Sequence, residues 1–163
     1  MDLEFKKYLI KKTSMWSSGS FNIFDEGDAL VYKIKSSVWQ MKKKMRMYDV
    51  DGDLLYTIEQ VSTWPQKFTI DHDGIEIARF EKRNPFSGKQ IDVFCKDEED
   101  FFIEGNVWGS NFRFMNKEQE FGIASYNMWS TGDLGLAIKN VYPNKLILSI
   151  VICLAYLKIS GQI

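Results

Sequence analysis

Few residues of this chain could do covalent chemistry, and its single histidine limits them first. Because His72 is the only histidine, any serine or cysteine nucleophile activated by a histidine would have to use it. His72 stands between Asp71 and Asp73, just before Gly74, in a segment typical of a tight hairpin turn. The chain also lacks the G-x-S-x-G, H-E-x-x-H, P-loop and dinucleotide-binding motifs. We therefore interpret His72 as a solvated turn residue and expect no enzymatic activity.

Two acidic segments have a spacing that could bind a cation. Asp49, Asp51 and Asp53 alternate as in an EF-hand loop, but that loop has glycine sixth and glutamate twelfth, whereas here glycine is fourth and glutamine twelfth. This difference favours a turn. The run Asp97–Asp100 (DEED) could attract a divalent cation, although such runs are more often solvated tips that discourage pairing of strand edges. We expect neither a metal site nor a cofactor.

The densest cluster of like charge is basic. The formal net charge is only −1, yet residues 1–47 carry a net charge of +5 and residues 48–163 a net charge of −6. Lysines or arginines beside an aromatic residue can hold an anionic lipid headgroup, at about 1 kcal/mol per basic residue near such a surface. We predict an anionic-headgroup site in the densest basic group, which follows Lys33, Lys35 and Trp39 and contains Lys42, Lys43, Lys44 and Arg46.

Other interpretations of this basic cluster stay open. It could contact a protein partner, or it could be a solvated strand end whose aromatic neighbour belongs to a repeat. Single-stranded nucleic acid needs stacking and phosphate contacts along a groove, and this cluster is one short patch, so we expect no nucleic acid partner. The leading prediction is a non-enzymatic binding module. The alternatives are a structural or protein-interaction module and, third, an enzyme or lipid transporter without a recognisable motif.

Aromatic residues at regular intervals predict how the chain is organised. Six of them recur every 21 to 25 residues, at Trp16, Trp39, Trp64, Phe86, Trp108 and Trp129. A fixed period of this kind marks a repeated supersecondary unit. The segments between them, such as Phe21–Ile34 and Arg46–Gln60, contain an alternating run, a polar turn and a second alternating run. Each segment is therefore predicted to be a β-hairpin.

The hairpins, with further strands at Tyr8–Lys12 and near Leu134, predict about twelve short antiparallel strands. Leu146–Leu157 (LILSIVICLAYL) is apolar except for Ser149, and it is shorter than the ~20 residues of a membrane span. It predicts a buried helix at about 143–159. Because a barrel of about eight strands is already filled by its own side chains, twelve strands leave a wider bore. We predict a mainly β, closed barrel, one domain over residues 1–163, threaded by this helix.

Composition and cysteine usage indicate the class of protein. Apolar residues make up 45% of the 163 residues and charged residues 26%, which is typical of one globular domain. Cys95 and Cys153 are too few for a disulfide scaffold or a cysteine zinc site. The first residues become charged too early for a signal peptide. We expect a cytoplasmic protein, located at the membrane periphery if it binds lipid.

The hairpins and the final apolar run resemble a known family. Phe21–Ile34, Met47–Gln60, Phe68–Lys82 and the helix at Lys145–Lys158 look like the LURP-one-related proteins, over roughly residues 8–160. The resemblance implies a twelve-stranded barrel around a central hydrophobic helix, a fold shared with tubby C-terminal domains and phospholipid scramblases. Tubby domains bind phosphoinositides through basic residues on the barrel surface. Scramblases are linked to calcium, but Lys139–Asn144 lacks the acidic ligands of a scramblase-like calcium loop.

Overall fold

The structure, a computed structural model, describes residues 4–13, 20–37, 43–63, 65–82, 90–106, 111–117, 119–126 and 133–159. Within these ranges the chain forms strands and a C-terminal helix. The elements are β1 (Phe5–Lys12), β2 (Phe21–Phe24), β3 (Leu30–Ser36), β4 (Lys44–Asp49), β5 (Leu54–Thr63), β6 (Gln66–His72), β7 (Ile75–Lys82), β8 (Gln90–Cys95), β9 (Phe101–Asn106), β10 (Asn111–Met115), β11 (Glu120–Ser125), β12 (Leu134–Lys139) and α1 (Asn144–Ile159).

The strands form one closed antiparallel barrel. Strands that are consecutive in sequence pair with each other, and the first strand, β1, pairs with the last, β12. The closing register runs from Phe5 opposite Lys139 to Ile10 opposite Leu134. Closure pairs both edges of the sheet and so removes the edges at which other chains could add a strand. The predicted twelve-stranded barrel is confirmed, and β1 is the strand that closes it.

The two strands of each predicted hairpin are connected at one end of the barrel, which we call the hairpin end. In the β6–β7 turn, Asp73 and Gly74 have φ of 51° and 78°, as a two-residue hairpin turn requires at both central positions. The opposite end, where β1 and β3 end and β2 and β4 begin, we call the far end. The six regularly spaced aromatic residues lie outside the described residues.

Helix α1 lies along the interior of the barrel and is buried on every side. Eleven consecutive side chains, Leu146 to Tyr156, are each at most 9% exposed. They pack in one cluster with the inward-facing residues of the strands, such as Ile23 and Phe114. The only polar residue in this run, Ser149, donates its hydroxyl to the Leu146 carbonyl at 2.7 Å. The predicted buried helix is confirmed.

Contacts at both ends of α1 fix its direction through the barrel. Near its start, Asn144 Nδ2 donates to the hydroxyl of Tyr8 on β1 at 2.9 Å. Near its end, the ring of Tyr156 lies 4.8 Å from Nζ of Lys43, which precedes β4 at the far end. At ~1.5 Å per residue, the sixteen residues of α1 span about 24 Å. Among the described residues, no helix is both long and apolar enough to cross a membrane.

Replacing Ile150 by aspartate tests whether α1 forms the core. Ile150 is 0% exposed, and an unpaired carboxylate there would cost several kcal/mol, comparable to the whole stability of about 5–15 kcal/mol for a domain. We expect Ile150→Asp to yield no folded protein by circular dichroism, while Ile150→Leu loses less than about 1.5 kcal/mol. An Ile150→Asp variant that melts with the wild type would contradict the buried position of α1.

Burial also changes the ionisation of groups that face the interior. Desolvation raises the pKa of the inward-facing Tyr8 and Tyr56 above the ordinary value of 10.0. Burial, with a smaller contribution from Asp100, raises the pKa of the Cys95 thiol from 9.0 to about 12. The pKa of the fully buried Cys153 is raised by the same desolvation. Above pH 9.0 the unfolded chain therefore loses protons that the folded protein retains.

This difference in proton binding predicts destabilisation by alkali. Because the folded state binds more protons than the unfolded state above about pH 9, the free energy of unfolding must fall as the pH rises. Urea midpoints should agree between about pH 7 and pH 8 and then decrease steadily towards pH 11. A midpoint that stays constant across the alkaline range would show that these groups titrate alike in both states.

Candidate functional site

The predicted basic cluster lies on β4, where side chains alternate between the two faces of the barrel wall. Met45 and Met47 are buried in the core. Lys44 and Arg46, at the alternate positions, therefore lie on the outer face of the wall. The cations of β4 are thus directed away from the core by the same alternation that buries the methionines.

Strand β3 adds two cations to this outer face. Ile34 is buried, while Lys33 and Lys35 on either side of it are exposed. In the register of the pair, Lys35 lies opposite Arg46 and Lys33 lies opposite Tyr48. Neighbouring strands are about 4.8 Å apart and alternate residues of one strand about 6.6 Å apart. Lys33, Lys35 and Arg46 therefore form one compact group.

Strands β2 and β1 extend this group by a fourth cation. Asn22 on β2 lies opposite Lys33, and Lys11 on β1 lies opposite Asn22. Lys11 is thus two strands from Lys33, a backbone distance of about 10 Å. We call these four outer-face residues the basic face: Lys11, Lys33, Lys35 and Arg46.

Within the described residues, the four side chains of the basic face have no carboxylate partner within 4.0 Å. Two of them lie instead over aromatic rings. The distance from Lys11 Nζ to the centre of the Phe24 ring is 5.6 Å, and that from Lys35 Nζ to the centre of the Tyr48 ring is 5.4 Å. An anion could therefore approach these cations without first displacing a carboxylate.

Several cations elsewhere on the barrel wall differ, because they pair with carboxylates. A groove of about 520 Å³ on the outer face of β6, β7 and β8 contains Lys67 and Arg79. Lys67 pairs with Glu81 at 3.2 Å and Arg79 with Glu76 at 3.0 Å. Lys96 also lines the groove and has no carboxylate partner among the described residues. An incoming anion would still have to compete with two carboxylates there, so this groove is a poorer anion site than the basic face.

The four residues that the sequence predicts for the site do not share one surface. Lys44 and Arg46 lie together on the outer face, but Lys44 Nζ is 3.9 Å from Oε2 of Glu59. Lys42 lies outside the described residues. Arg46 is the member of the predicted set that joins the basic face.

Lys43 is directed towards the helix. Its Nζ lies over the Tyr156 ring in the last turn of α1, and burial lowers the pKa of its ammonium group. A positive charge near the C-terminus of a helix is favoured by the helix dipole. We therefore assign Lys43 to the packing of the helix end. Basic and apolar residues alternate from Lys44 to Met47, and Lys43 is in phase with the buried methionines. This phase is the sequence signal that separates Lys43 from Lys44 and Arg46.

His72 connects neighbouring strands at the hairpin end. Its Nδ1–H donates to the Leu55 carbonyl at 2.7 Å, since a carbonyl oxygen can only accept. Its Nε2 lies 3.5 Å from Oδ2 of Asp73, and its ring meets the edge of Tyr56 at 5.6 Å between centroids. Neither ring nitrogen pairs with a serine or cysteine in the described part of the chain. His72 is thus the last residue of β6, directly before the turn, and its Nδ1 binds the backbone of β5.

The alternating aspartates form a turn in which the first carboxylate binds the backbone. Asp49 Oδ1 accepts from the N–H groups of Asp51 at 3.0 Å and Asp53 at 2.9 Å. One repeat earlier, Asp25 Oδ1 accepts from the N–H groups two and four residues later, at 2.9 and 3.0 Å. In the DEED run, Asp100 accepts the Cys95 N–H at 2.8 Å. Across the described ranges, no three His, Cys, Asp or Glu residues are arranged to hold a metal ion.

A turn held by Asp49 and a cation site formed by the alternating aspartates predict different effects of replacing Asp49 and Asp51. Asp49→Ala leaves two N–H groups without their acceptor, so we expect a loss of about 1–2 kcal/mol of unfolding free energy in urea. Asp51→Ala is the matched control and should change it by less than about 0.5 kcal/mol. Millimolar calcium should leave the melting temperature unchanged. Equal losses in the two variants, or a calcium-dependent rise that Asp51→Ala abolishes, would contradict the turn.

Comparisons with known proteins agree with this architecture. The family model described as LURP-one-related matches residues 6–155. The X-ray structure of a protein from Arabidopsis thaliana superposes with a TM-score of 0.69 at 16% identity, covering 94% of this chain and 91% of that one. At such low identity the likeness concerns the fold alone. No curated protein matches the chain.

Proposed function

The chain belongs to the LURP-one-related family, and we propose that it is a non-enzymatic binding module for anionic lipid headgroups. One observation carries the proposal. The basic face places four cations on the outer surface of β1, β3 and β4, and none of the four is paired with a carboxylate among the described residues. In the absence of carboxylate partners, these cations can bind an anionic headgroup.

The charges of the basic face are sufficient for reversible membrane binding. At about 1 kcal/mol per basic residue near an anionic surface, four cations contribute about 4 kcal/mol. This corresponds to a roughly thousandfold increase in partitioning onto an anionic surface relative to a neutral one. Such binding is peripheral and needs no membrane-spanning segment.

The geometry of the basic face favours a headgroup with more than one phosphate, such as a phosphoinositide. Arg46 offers a planar fork that can bind two phosphate oxygens, and Lys35 lies directly opposite it. One phosphate can therefore contact both side chains. Lys33 and Lys11 lie about 7–15 Å further along the face, where a second phosphate would bind.

A protein-interaction module is the second candidate, and exposed apolar side chains at the hairpin end favour it. Val50 and Leu54 flank the β4–β5 turn, and Ile75 follows the β6–β7 turn. Each is about half exposed. If the barrel binds no anionic lipid, these two neighbouring turns are the surface on which a protein partner would dock.

Cosedimentation with vesicles tests the lipid proposal. We expect the wild type to bind vesicles that contain a phosphoinositide and not neutral vesicles, and to bind more weakly as salt shortens the Debye length from about 10 Å at 0.1 M. The triple variant Lys33→Gln/Lys35→Gln/Arg46→Gln should bind at least roughly tenfold more weakly. Its melting temperature should be retained, because exposed charges contribute little to stability.

Two further triple variants serve as controls. Lys67→Gln/Lys96→Gln/Lys117→Gln removes the same charge from other parts of the surface and should bind within about twofold of the wild type. Lys42→Gln/Lys43→Gln/Lys44→Gln removes the cluster that is contiguous in sequence and should retain more binding than the basic-face variant. Equal losses of vesicle binding in all three variants would show that net charge, and not the basic face, determines binding. No binding by the wild type at low salt would favour the protein-interaction module.

A further inference from the structure

Aromatic rings accompany the cations along one side of the barrel. Three pairs of a lysine Nζ and an aromatic ring lie 5.4–5.6 Å apart on strands that are consecutive around the barrel, β12, β1, β2, β3 and β4. Side chains on these strands alternate between the core and the outer surface, and the residues of the three pairs occupy outward-facing positions. We call this surface the aromatic wall; its pairs are Lys139–Phe5, Lys11–Phe24 and Lys35–Tyr48.

The opposite side of the barrel has a different chemistry. Its strands carry cations that pair with carboxylates, as Lys67 does with Glu81 on β6 and β7. On β10, Arg113 pairs with Glu104 at 2.8 Å and with Glu120 at 3.5 Å. Surfaces with mixed, mutually neutralised charge are well hydrated and have little attraction for an anionic bilayer. This side is suited to face water.

The rings of the aromatic wall distinguish a bilayer from a dissolved phosphate compound. Phe5 is 43% exposed, and Phe24 and Tyr48 are half-buried beside their lysines. A phosphate compound in water needs only the cations. At a membrane interface, aromatic rings lie at the level of the headgroups while lysine and arginine side chains reach the phosphates. The repeated pairing therefore fits a bilayer surface.

Carboxylates at the hairpin end argue against binding through that end. The β2–β3 turn contains Asp25, Glu26 and Asp28, and the β4–β5 turn contains Asp51 and Asp53. An anionic bilayer repels such turns. The three rings lie on the outer wall at this same end of their strands, so a membrane can contact them from the side of the barrel but not through the turns.

We propose that the barrel binds an anionic bilayer side-on through the aromatic wall, with Phe5, Phe24 and Tyr48 placed at the headgroup level. This inference rests on the proposed function and specifies the source of the phosphate: a lipid in a bilayer, bound together with its interface. Strand β8, six strands from β2 in a barrel of twelve, then faces away from the membrane.

Loss of the rings tests the bilayer contact without changing charge. The double variant Phe5→Ala/Tyr48→Ala should bind phosphoinositide vesicles roughly tenfold more weakly and bind soluble inositol hexakisphosphate as the wild type does. The matched control Val61→Ala/Phe94→Ala removes side chains that are 46% and 43% exposed elsewhere on the barrel and should not change either affinity. Unchanged vesicle binding by Phe5→Ala/Tyr48→Ala would overturn the inference.

Fluorescent labels on opposite sides of the barrel test the orientation of the folded protein at the membrane while the three rings of the aromatic wall are kept. We would attach a fluorophore to Asn22→Cys on β2 or to Phe94→Cys on β8, at neutral pH, where burial keeps the native thiols poorly reactive. Brominated lipids in phosphoinositide vesicles should quench the Asn22→Cys label and not the Phe94→Cys label. If the wild type binds no vesicles, the proposed function fails. If it binds them but the Phe94→Cys label is quenched, or both labels equally, only the side-on inference fails.

Discussion

The complete burial of an apolar helix inside the barrel is the interaction on which the rest of the structure depends. A twelve-stranded barrel is too wide for strand side chains alone to fill its bore, and the run from Leu146 to Tyr156 fills it. The helix favours apolar residues at the inward-facing, alternate positions of the strands. The residues between them must then face outward, which is why Arg46 lies on the surface between two buried methionines.

The outward positions are free to carry function because they contribute little to the core. Their charges are distributed unevenly: lysines lie beside aromatic rings around β12 to β4, whereas cations pair with carboxylates around β6 to β10. Stability does not require this asymmetry, since an exposed ion pair and an exposed cation–ring contact are each worth about 1 kcal/mol or less. It does create one side that attracts an anionic surface and one that does not.

The sequence predicts the elements of this fold better than it predicts the site. Alternation with a period of two and a continuous apolar run are local signals, and they place the hairpins and α1 within a few residues. The site depends on the pairing between strands, which no local sequence signal contains. The register places Lys35 opposite Arg46, and it places Lys11 and Lys33 on either side of Asn22. Lys43 is included in the predicted site because it is adjacent in sequence to Lys42 and Lys44. Its contact with the end of the helix depends on the tertiary fold.

Lysine footprinting tests the central claim, that the basic face contacts an anionic membrane, most directly. An amine-acetylating reagent, applied with and without phosphoinositide vesicles, would report the accessibility of each lysine by mass spectrometry in the unmodified chain. We expect vesicles to protect Lys11, Lys33 and Lys35 and to leave Lys67, Lys96 and Lys117 as reactive as in solution. Protection of the second group, or equal protection of both groups by bound vesicles, would contradict the account.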